Sequence, residues 1–593
     1  MSSLKFSILC FFIGQAIVLA APAVLQNHEL LARNSLQVRD GGFDLPIRRT
    51  KVPRSKDVRR RRMQRRQDVS GATGLGNNND LLYTVPITLG NKVTAVHLDT
   101  GSSDLWAITD QCTRNTCAQL SQFTSPLSST GLNLTQTQVQ MQYGDSLTGT
   151  TATGTIAVDT ATLAGIAITN QAFGAVSDTT NSVVQFGAAG ILGLGFPSGS
   201  EIQEALVSAD TGPLVTTDAF VKDTWKFGPV LSRISMTHML KDPMFTIELQ
   251  RGTIDADEGA DAHGQLTVGK LPDDVKDRES EVLWVPVKLY TPEEGGLRAP
   301  DFAKGETYPF RWEIELEGVF FNGQPVANSQ IPAGSNLPAA SASKTTALID
   351  TGNSLLRGPK DVVDDILGRA SRNYRPGTAN SATFPCTQAQ KLEFQIGGKR
   401  FPIDPRDFIG ETSVGDTTTC VADNLVETDA PSFGATFRWS LGDPFFKSNL
   451  VAFHYGNLTN PSVDPPRIGL LSRVPADADA KLTQAVQDAK TNGGKFDNTI
   501  QVAPTDSAAT AARVTVSDDP NKAAKTSGVN NGDGATATAA ATGAPPVVTI
   551  GMDGPDGGSK QNGAVRVGRG KVEFTSVAVA AIGVLVGVFG VGL

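Results

Sequence analysis

Two aspartates in this chain are each followed by Thr and Gly, at residues 99–101 and again at residues 350–352. Each copy follows a short apolar run, so each aspartate ends a segment that reads as a buried β-strand. An isolated buried carboxylate is costly, and two carboxylates that share a site hold one proton between them. Such a pair could act as acid and base together in the attack of water on a peptide bond.

Composition and charge narrow the class of protein. The chain has 593 residues, of which 39% are hydrophobic and 60 are glycine, which favours a β-rich protein of more than one domain. Residues 21–66 contain 13 basic and four acidic residues, whereas residues 67–562 contain 35 basic and 55 acidic residues. The acidic body argues against nucleic-acid binding. It is compatible with basic substrates, an acidic environment or simple solubility.

The first 66 residues read as two segments that are removed during secretion. Residues 1–20 combine Lys5, an apolar stretch and small residues around Ala20, which predicts a cleaved secretory signal, with a membrane anchor as the alternative. Residues 21–66 end in clusters of basic residues, which predict a propeptide cut after Arg66 by a kexin-type processing protease. A polyanion-binding arm is the alternative, but the position before the first strand favours the propeptide.

Four cysteines remain after removal of the signal, and an even number in a secreted chain predicts two disulfides with three possible connectivities. Proximity along the chain favours Cys112–Cys117 and Cys386–Cys420. A zinc site is the alternative, but the spacing and the export signal argue against it. We expect no metal ion and no cofactor.

The remaining sequence divides into a β-rich body and a tail. Alternation and β-branched residues predict an N-terminal lobe over residues 67–275 and a C-terminal lobe over residues 276–475, with the helix candidate Pro359 to Leu367 as an exception. Residues 476–562 are rich in Ala, Thr, Gly and Ser, which predicts a low-complexity stalk.

The C-terminal end has the order of a GPI-anchor signal. Asn562 precedes small residues, a basic spacer and a final apolar run, so residues 563–593 are interpreted as a removed signal and Asn562 as the attachment residue. The expected destination is the plasma membrane or the cell wall. A retained transmembrane helix is the alternative, although the run is slightly short. Asn133 and Asn457 begin N-glycosylation sequons.

Further motifs resemble those of pepsin-type aspartic endopeptidases, over residues 81–472. They are the flap motif Gln142-Tyr143-Gly144-Asp145, the crossing elements Ile191-Leu192-Gly193 and Ser440-Leu441-Gly442, the strand pair from Trp312 to Gly323, and a C-terminal signature from Arg438 to Gly456. The four cysteines also fall where two disulfides of that family lie. The GPI-like tail makes the chain most similar to the yapsin group of fungal surface proteases.

The resemblance implies an all-β, two-lobed fold with a central cleft, acting as a monomer on protein or peptide substrates. Asp99 and Asp350 would bind one water, one carboxylate taking its proton while the other protonates the peptide carbonyl. The residues expected to support this pair are Thr100, Gly101, Ser102, Thr351, Gly352 and Asn353. Ser102 and Asn353 would hydrogen-bond the outer carboxylate oxygens, and Asn353 departs from the Ser or Thr usual in the family.

The resemblance also implies a β-hairpin flap that closes over substrate. Tyr143 would point its hydroxyl toward Trp106, while Gly144 and Asp145 would contact the substrate backbone. Core packing is the alternative interpretation of Tyr143 and Trp106. His97 and His454 are interpreted as packing or structural residues without a catalytic role.

Two other function classes share some of these features. A non-catalytic cell-surface glycoprotein could keep the fold, but it would not need both aspartates and Tyr143. A carbohydrate-active enzyme could use paired carboxylates, but it would not need two Asp-Thr-Gly loops and a Tyr-Gly-Asp flap.

Overall fold

The computed structural model describes most of the β-rich body. The described residues are 70–78, 80–144, 149–256, 264–332, 344–378, 380–413, 415–428 and 437–498, with short strands at 38–39, 42–43, 500–501, 512–515 and 525–527. The predicted signal peptide, Arg66, Asp145 and Asn562 lie outside them. Within the described ranges, no helix is long and apolar enough to cross a membrane.

An eleven-stranded sheet forms the N-terminal lobe. Nine strands follow one another in the order Ile500–Gln501, Gly76–Asn78, Leu82–Leu89, Lys92–Asp99, Gly190–Gly193, Leu105–Ile108, Ile166–Thr179, Ala512–Thr515 and Lys525–Ser527. The other two, Leu134–Tyr143 and Thr150–Leu163, form an antiparallel hairpin. Val139 and Met141 of this hairpin are buried whereas the residues between and beside them are exposed, so the hairpin presents one face to solvent.

The C-terminal lobe contains smaller sheets. A five-stranded sheet has the order Glu313–Glu315, Thr346–Ile349, Trp439–Leu441, Leu356–Pro359 and Leu425–Thr428. The other strands are Gln324–Val326, Gly318–Phe321, Leu392–Ile396 and Lys399–Pro402 in a four-stranded sheet, Thr383–Pro385, Thr419–Val421 and Gly410–Glu411 in a three-stranded sheet, and the pair Leu289–Tyr290 and Tyr308–Pro309.

A six-stranded antiparallel sheet joins the lobes. Its order is Leu283–Pro286, Arg467–Ser472, Asn449–His454, Met244–Glu248, Gln265–Val268 and Gly71–Gly74. Three of these strands belong to the sequence of each predicted lobe. The architecture therefore confirms the predicted all-β, two-lobed fold.

Within the described residues, helices are few and short. They are Glu201–Thr211, Thr217–Lys222, Thr224–Phe227, Val230–Met236, Lys360–Ala370, Pro405–Phe408, Asp443–Ser448 and Ala478–Thr491, with 3₁₀ turns at Asn115–Gln119, Ser182–Gln185, Pro197–Gly199, Lys276–Glu281 and Pro292–Glu294. The helix Lys360–Ala370 starts after Pro359, close to the predicted helix. The four helices between residues 201 and 236 were not anticipated.

The last helix changes the expected start of the stalk. Residues 476–562 were assigned to a low-complexity stalk, but Ala478–Thr491 forms a helix that buries Leu482 and Val486 in the main hydrophobic core. Beyond it, Phe496 is also buried in that core, and the strand Asp497–Asn498 pairs with Thr253–Ile254. Residues 478–498 therefore belong to the folded body, because their apolar side chains are buried against it. The short strands Ile500–Gln501, Ala512–Thr515 and Lys525–Ser527 also pair within the eleven-stranded sheet.

The cysteines form the two favoured disulfides, Cys112–Cys117 and Cys386–Cys420, which confirms that expectation. All four side chains are buried. Of the two sequons, Asn133 is exposed, whereas Asn457 is half-buried and its Oδ1 accepts from the backbone N–H groups of Thr459 and Asn460.

Candidate active site

The two Asp-Thr-Gly loops have matching strand environments. Asp99 ends the strand Lys92–Asp99, and Asp350 directly follows Thr346–Ile349. Each strand is paired in parallel with a buried crossing strand, Gly190–Gly193 in one lobe and Trp439–Leu441 in the other. Backbone hydrogen bonds hold both aspartates at these crossings: Leu194 N donates to Asp99 O (2.8 Å) and Asp350 N donates to Leu441 O (3.1 Å). The crossing elements identified in the sequence are thus the neighbours of the strands that lead to Asp99 and Asp350.

Two threonines lock the loops to each other. The backbone N–H of Thr100 donates to Thr351 Oγ1 (3.1 Å), and that of Thr351 donates to Thr100 Oγ1 (3.0 Å). Each hydroxyl in turn donates to a carbonyl of the opposite strand, at Ile349 and Leu98. Both side chains are fully buried, so this exchange is protected from water.

The carboxyl groups face each other across the lobe boundary. A Cβ placed on Gly101 would lie 2.4 Å from Asp350 Oδ1, and one placed on Gly352 would lie 2.4 Å from Asp99 Oδ1. A side chain at either position would collide with the opposite carboxyl group. Glycine is therefore needed at both positions for the two acids to meet.

The environment of Asp350 favours its protonated form. Burial and the nearby charge of Asp99 raise the pKa of Asp350 to about 7, although the N–H of Gly352 and the charge of Arg311 act in the opposite direction. Gly352 N donates to Asp350 Oδ1 at 2.8 Å. Asp350 therefore holds a proton in acidic solution.

Asp99 has donors on both of its oxygens. Gly101 N donates to Oδ1 (2.8 Å) and Ser102 Oγ donates to Oδ2 (2.5 Å). These donors stabilise a carboxylate, which is the form needed to accept a proton from water.

The second loop lacks the side-chain donor that was expected. Asn353 Nδ2 donates to Ser440 Oγ (2.9 Å), and its Oδ1 accepts from Leu355 N and Arg357 Nε, both at 3.1 Å. Both ends of the amide are thus used away from the carboxyl group of Asp350. The expectation that Asn353 hydrogen-bonds Asp350 is not met, because the larger amide reaches Ser440 of the crossing strand instead.

The flap motif lies at the end of the N-terminal hairpin. Tyr143 ends the strand Leu134–Tyr143, and Gly144 follows with a φ of 84°. The rings of Tyr143 and Trp106 are 6.2 Å apart at an interplanar angle of 50°, and the indole nitrogen faces the Tyr143 hydroxyl without a well-directed hydrogen bond. Burial and the charges of Asp104, Asp99 and Glu201 raise the pKa of Tyr143 well above its usual value.

Two aromatic residues of the C-terminal lobe form hydrogen bonds with Leu194, which follows the crossing strand Gly190–Gly193. Trp312 Nε1 and Tyr455 Oη both donate to the carbonyl of Leu194, at 2.9 and 2.7 Å. The Phe196 ring packs against both, with centroid distances of 4.1 Å to Trp312 and 5.7 Å to Tyr455. Because Leu194 N also donates to Asp99 O, the opposite lobe helps to hold the loop that carries Asp99.

His97 and His454 are both buried. His97 lies beneath the catalytic loops, with Nδ1 3.0 Å from the carbonyl of Tyr83 and the ring facing the backbone of Gly352. Burial lowers the pKa of His97, although the charge of Asp99 opposes this shift. His454 has its Nε2 3.0 Å from an Arg467 nitrogen, and burial followed by that charge lowers its pKa to about 4.

Two charged residues of the site were missed in the sequence. Asp104 is buried behind the first loop, where Ser200 Oγ (2.5 Å) and Glu201 N (2.8 Å) donate to it. Burial raises the pKa of Asp104 to about 6, against the effect of the Ser200 hydroxyl. Arg311 lies near Asp350 and acts on its pKa. Asp104 could have been recognised as a carboxylate directly before the apolar strand Leu105–Ile108. Nothing local distinguishes Arg311.

The fold and the facing aspartates define an aspartic protease. The family model of eukaryotic aspartyl proteases matches residues 82–461. The chain therefore belongs to this pepsin-type family and is an aspartic-type endopeptidase.

The relatives are distant in sequence. An aspartic protease of Phaffia rhodozyma is 25% identical over 64% of this chain and 75% of its own length. Cathepsin E-B of Xenopus laevis is 27% identical over 69% of this chain and 83% of its own length. Major aspartyl peptidase 1 of Cryptococcus neoformans var. grubii is 24% identical, with coverages of 67% and 72%.

Proposed function

We propose that this endopeptidase hydrolyses peptide bonds with a water held between Asp99 and Asp350. Asp99 takes the proton of the water as its oxygen attacks the carbonyl carbon, and Asp350 gives its proton to the carbonyl oxygen. The C–N bond then breaks as Asp99 passes its proton to the leaving amine, while a hydroxyl proton of the tetrahedral diol returns to Asp350. The observation that carries this assignment is the asymmetry of the pair: Asp99 is held by donors on both oxygens, and Asp350 has a pKa of about 7. A shared proton is the established property of such carboxylate pairs in aspartic proteases.

The test is proteolysis in acid. We expect a processed enzyme to cleave a denatured protein at acidic pH, to be inhibited by pepstatin and to be inactivated by Asp99→Asn. A folded wild-type protein without such activity would favour the non-catalytic glycoprotein.

We further propose that the enzyme is made as a zymogen. The basic segment 21–66 precedes an acidic body, and basic side chains of this segment would occupy the acidic cleft until cleavage after Arg66. The strand Gly71–Gly74 begins five residues after Arg66 and forms the edge of the six-stranded sheet, so a cut at Arg66 leaves this strand intact. Equal activity at neutral pH of chains that start at Ala21 and at Gln67 would contradict the latch.

A surface location is proposed from the two ends of the chain. The segment 1–20 would direct export, and a GPI anchor at Asn562 would hold the enzyme at the membrane or the wall. Release by a GPI-specific lipase, followed by mass spectrometry of the C-terminal peptide, tests the anchor. An intact C-terminus ending at Leu593 would rule it out.

A preference for basic residues near the scissile bond is a further part of the proposal. The body is acidic, and the charge of Glu201, joined by that of Asp104 above about pH 6, acts on the flap residue Tyr143. A negative potential on that side of the cleft favours Lys or Arg in substrates. A peptide library without Lys or Arg enrichment at any position would contradict this preference.

A further inference from the structure

Arg311 lies near Asp350, the second aspartate of the pair. The strand Glu313–Glu315 runs antiparallel to Thr346–Ile349, and Ile349 N donates to the carbonyl of Trp312 at 3.0 Å. Arg311 directly precedes Trp312 and Asp350 directly follows Ile349, so this hydrogen bond brings the two residues to neighbouring positions. The effect of the Arg311 charge on the pKa of Asp350 agrees with this closeness.

The guanidinium group of Arg311 has no acceptor within the described part of the protein. The residue is half-buried, and its Nε is buried without a hydrogen-bond partner among the described residues. By contrast, the buried Arg251 pairs with Asp407 at 2.7 Å, and the buried Arg406 pairs with Asp404 at 2.7 Å. A buried donor that lacks a partner is costly, so the buried Nε of Arg311 is available to an acceptor from outside the described residues.

Apolar rings form the walls around this cation. The guanidinium carbon lies 5.2 Å from the Phe310 ring centroid and 5.7 Å from that of Phe437. Aromatic faces stabilise the cation while they exclude water, which strengthens its attraction for an anion. Asp350 is a poor partner when it carries its proton, because a neutral carboxyl group attracts a cation weakly.

We propose that Arg311 forms a carboxylate-binding subsite of the cleft, which takes an Asp or Glu side chain or the terminal carboxylate of a peptide substrate. The planar guanidinium fork matches a carboxylate with two parallel hydrogen bonds. This inference rests on the proposed endopeptidase function. It is compatible with a preference for Lys or Arg, because the negative groups lie toward the flap and Arg311 lies beside Asp350, so the two preferences concern different substrate positions.

The test compares matched peptides with the full processed enzyme. Each position on both sides of one scissile bond carries Glu or Gln in turn, and a second set differs only in a free or amidated C-terminus. The ratio of kcat/KM for each matched pair is measured within one variant, so a general loss of activity cancels. For the wild type we expect one position, or the free terminus, to be favoured about tenfold, as expected for a charge-assisted hydrogen bond.

Three variants decide the role of Arg311. Arg311→Met should bring the ratio to about one, Arg311→Lys should keep part of it, and Arg311→Glu should favour Lys at the same position. The matched control is Arg375→Met, since Arg375 is exposed and donates to the carbonyls of Arg372 and Tyr374, so the same charge is removed elsewhere. This control should leave the ratio unchanged.

The outcomes are separable. Equal cleavage of every matched pair by the wild type, or a ratio that survives Arg311→Met, would overturn the carboxylate subsite and leave the endopeptidase function standing. Cleavage of no peptide at all would overturn both. Favoured Glu at one internal position identifies a side-chain carboxylate, whereas a favoured free terminus identifies the end of the substrate.

Discussion

The two catalytic loops share a backbone frame but differ in their side chains. In both loops the aspartate lies beside a parallel crossing strand, the following threonine exchanges hydrogen bonds with its counterpart, and a glycine lets the opposite carboxyl group approach. The Ser102 hydroxyl donates to the carboxyl group of Asp99. The corresponding Asn353 donates to Ser440 and not to Asp350. The repeated backbone thus brings two identical acids together, and the unrepeated side chains give them different hydrogen-bond donors.

The charged residues around the two aspartates also differ. Glu201 and, above about pH 6, Asp104 place negative charge behind the loop of Asp99 and near the flap. The loop of Asp350 is faced by the cation Arg311. The cleft is therefore polarised from one lobe to the other, and we expect substitutions at equivalent positions to have unequal effects.

The largest expected effect comes from neutralising either acid. Asp99→Asn removes the base and Asp350→Asn removes the proton donor, so each should reduce kcat by at least about 10³-fold, near the upper range of acid–base catalysis. The assay is hydrolysis of a fluorogenic peptide in acid. Thermal unfolding close to that of the wild type serves as the control, and a variant that kept a tenth of the activity would refute the assigned pair.

The second prediction concerns the pH dependence of stability. Burial raises the pKa of Asp104 to about 6 from an ordinary value of 3.8, so the folded state binds this proton more tightly than the unfolded state does. The resulting stabilisation is complete below about pH 4 and is lost as the pH rises through about 6. Urea unfolding between pH 4 and 7 should show this loss.

A matched comparison isolates the effect of Asp104. Asp104→Asn removes the titrating group. The decrease in the free energy of unfolding between pH 4 and 7 should then be smaller by about 1–3 kcal/mol than in the wild type. The contrasting acid of the C-terminal lobe is Asp407: burial acts to raise its pKa, but the charges of Arg251 and Lys447 outweigh this effect and lower it to about 2. Its contribution is lost in the opposite direction, as the pH falls from about 4 toward 2. An unchanged slope in Asp104→Asn would show that Asp104 is not the source of the decline.

The threonine exchange provides the third prediction. Thr100→Val and Thr351→Val each remove one hydroxyl. That hydroxyl accepts the backbone N–H of the other threonine and donates to a carbonyl of the other lobe. Each substitution should therefore lower the free energy of unfolding by about 1–3 kcal/mol. Because the two hydroxyls act as one unit, the double variant should lose less than the sum of the single losses. Thr→Ser at the same positions keeps the hydroxyl and is the control. Strictly additive losses would show that the loops are held independently.

Local motifs made part of this site predictable from the sequence. The paired aspartates, the crossing strands, the flap tyrosine and the disulfide partners each lie in short segments whose residue types are constrained by their immediate neighbours. The helix Ala478–Thr491 was also within reach, since its buried residues Ala478, Leu482, Ala485, Val486 and Ala489 follow a helical period. Its alanine-rich composition concealed that pattern.

Other parts depend on residues that are distant along the chain. The orientation of Asn353 is set by Ser440, 87 residues away, and sequence spacing gives no indication of that contact. Arg311 lies near Asp350 because Ile349 N donates to the carbonyl of Trp312, and only the fold brings these two segments together. Chemistry within a motif could therefore be inferred from the sequence, whereas chemistry between segments required their arrangement in space.

The smallest expected effect tests the asymmetry of the loops directly. Ser102→Ala removes the hydroxyl that donates to Asp99 at 2.5 Å, and we expect kcat to fall about tenfold, the scale of one hydrogen bond to a charged group. Asn353→Ala removes an amide that bonds Ser440 and Arg357 but not Asp350, so kcat should change less than about threefold, and the loss should appear as lower stability. Asn353→Ser restores a small hydroxyl like that of Ser102 and asks whether the loop can supply the missing donor to Asp350. If Asn353→Ala reduced kcat as strongly as Ser102→Ala, the two loops would be functionally equivalent and the division of roles between Asp99 and Asp350 would need another cause.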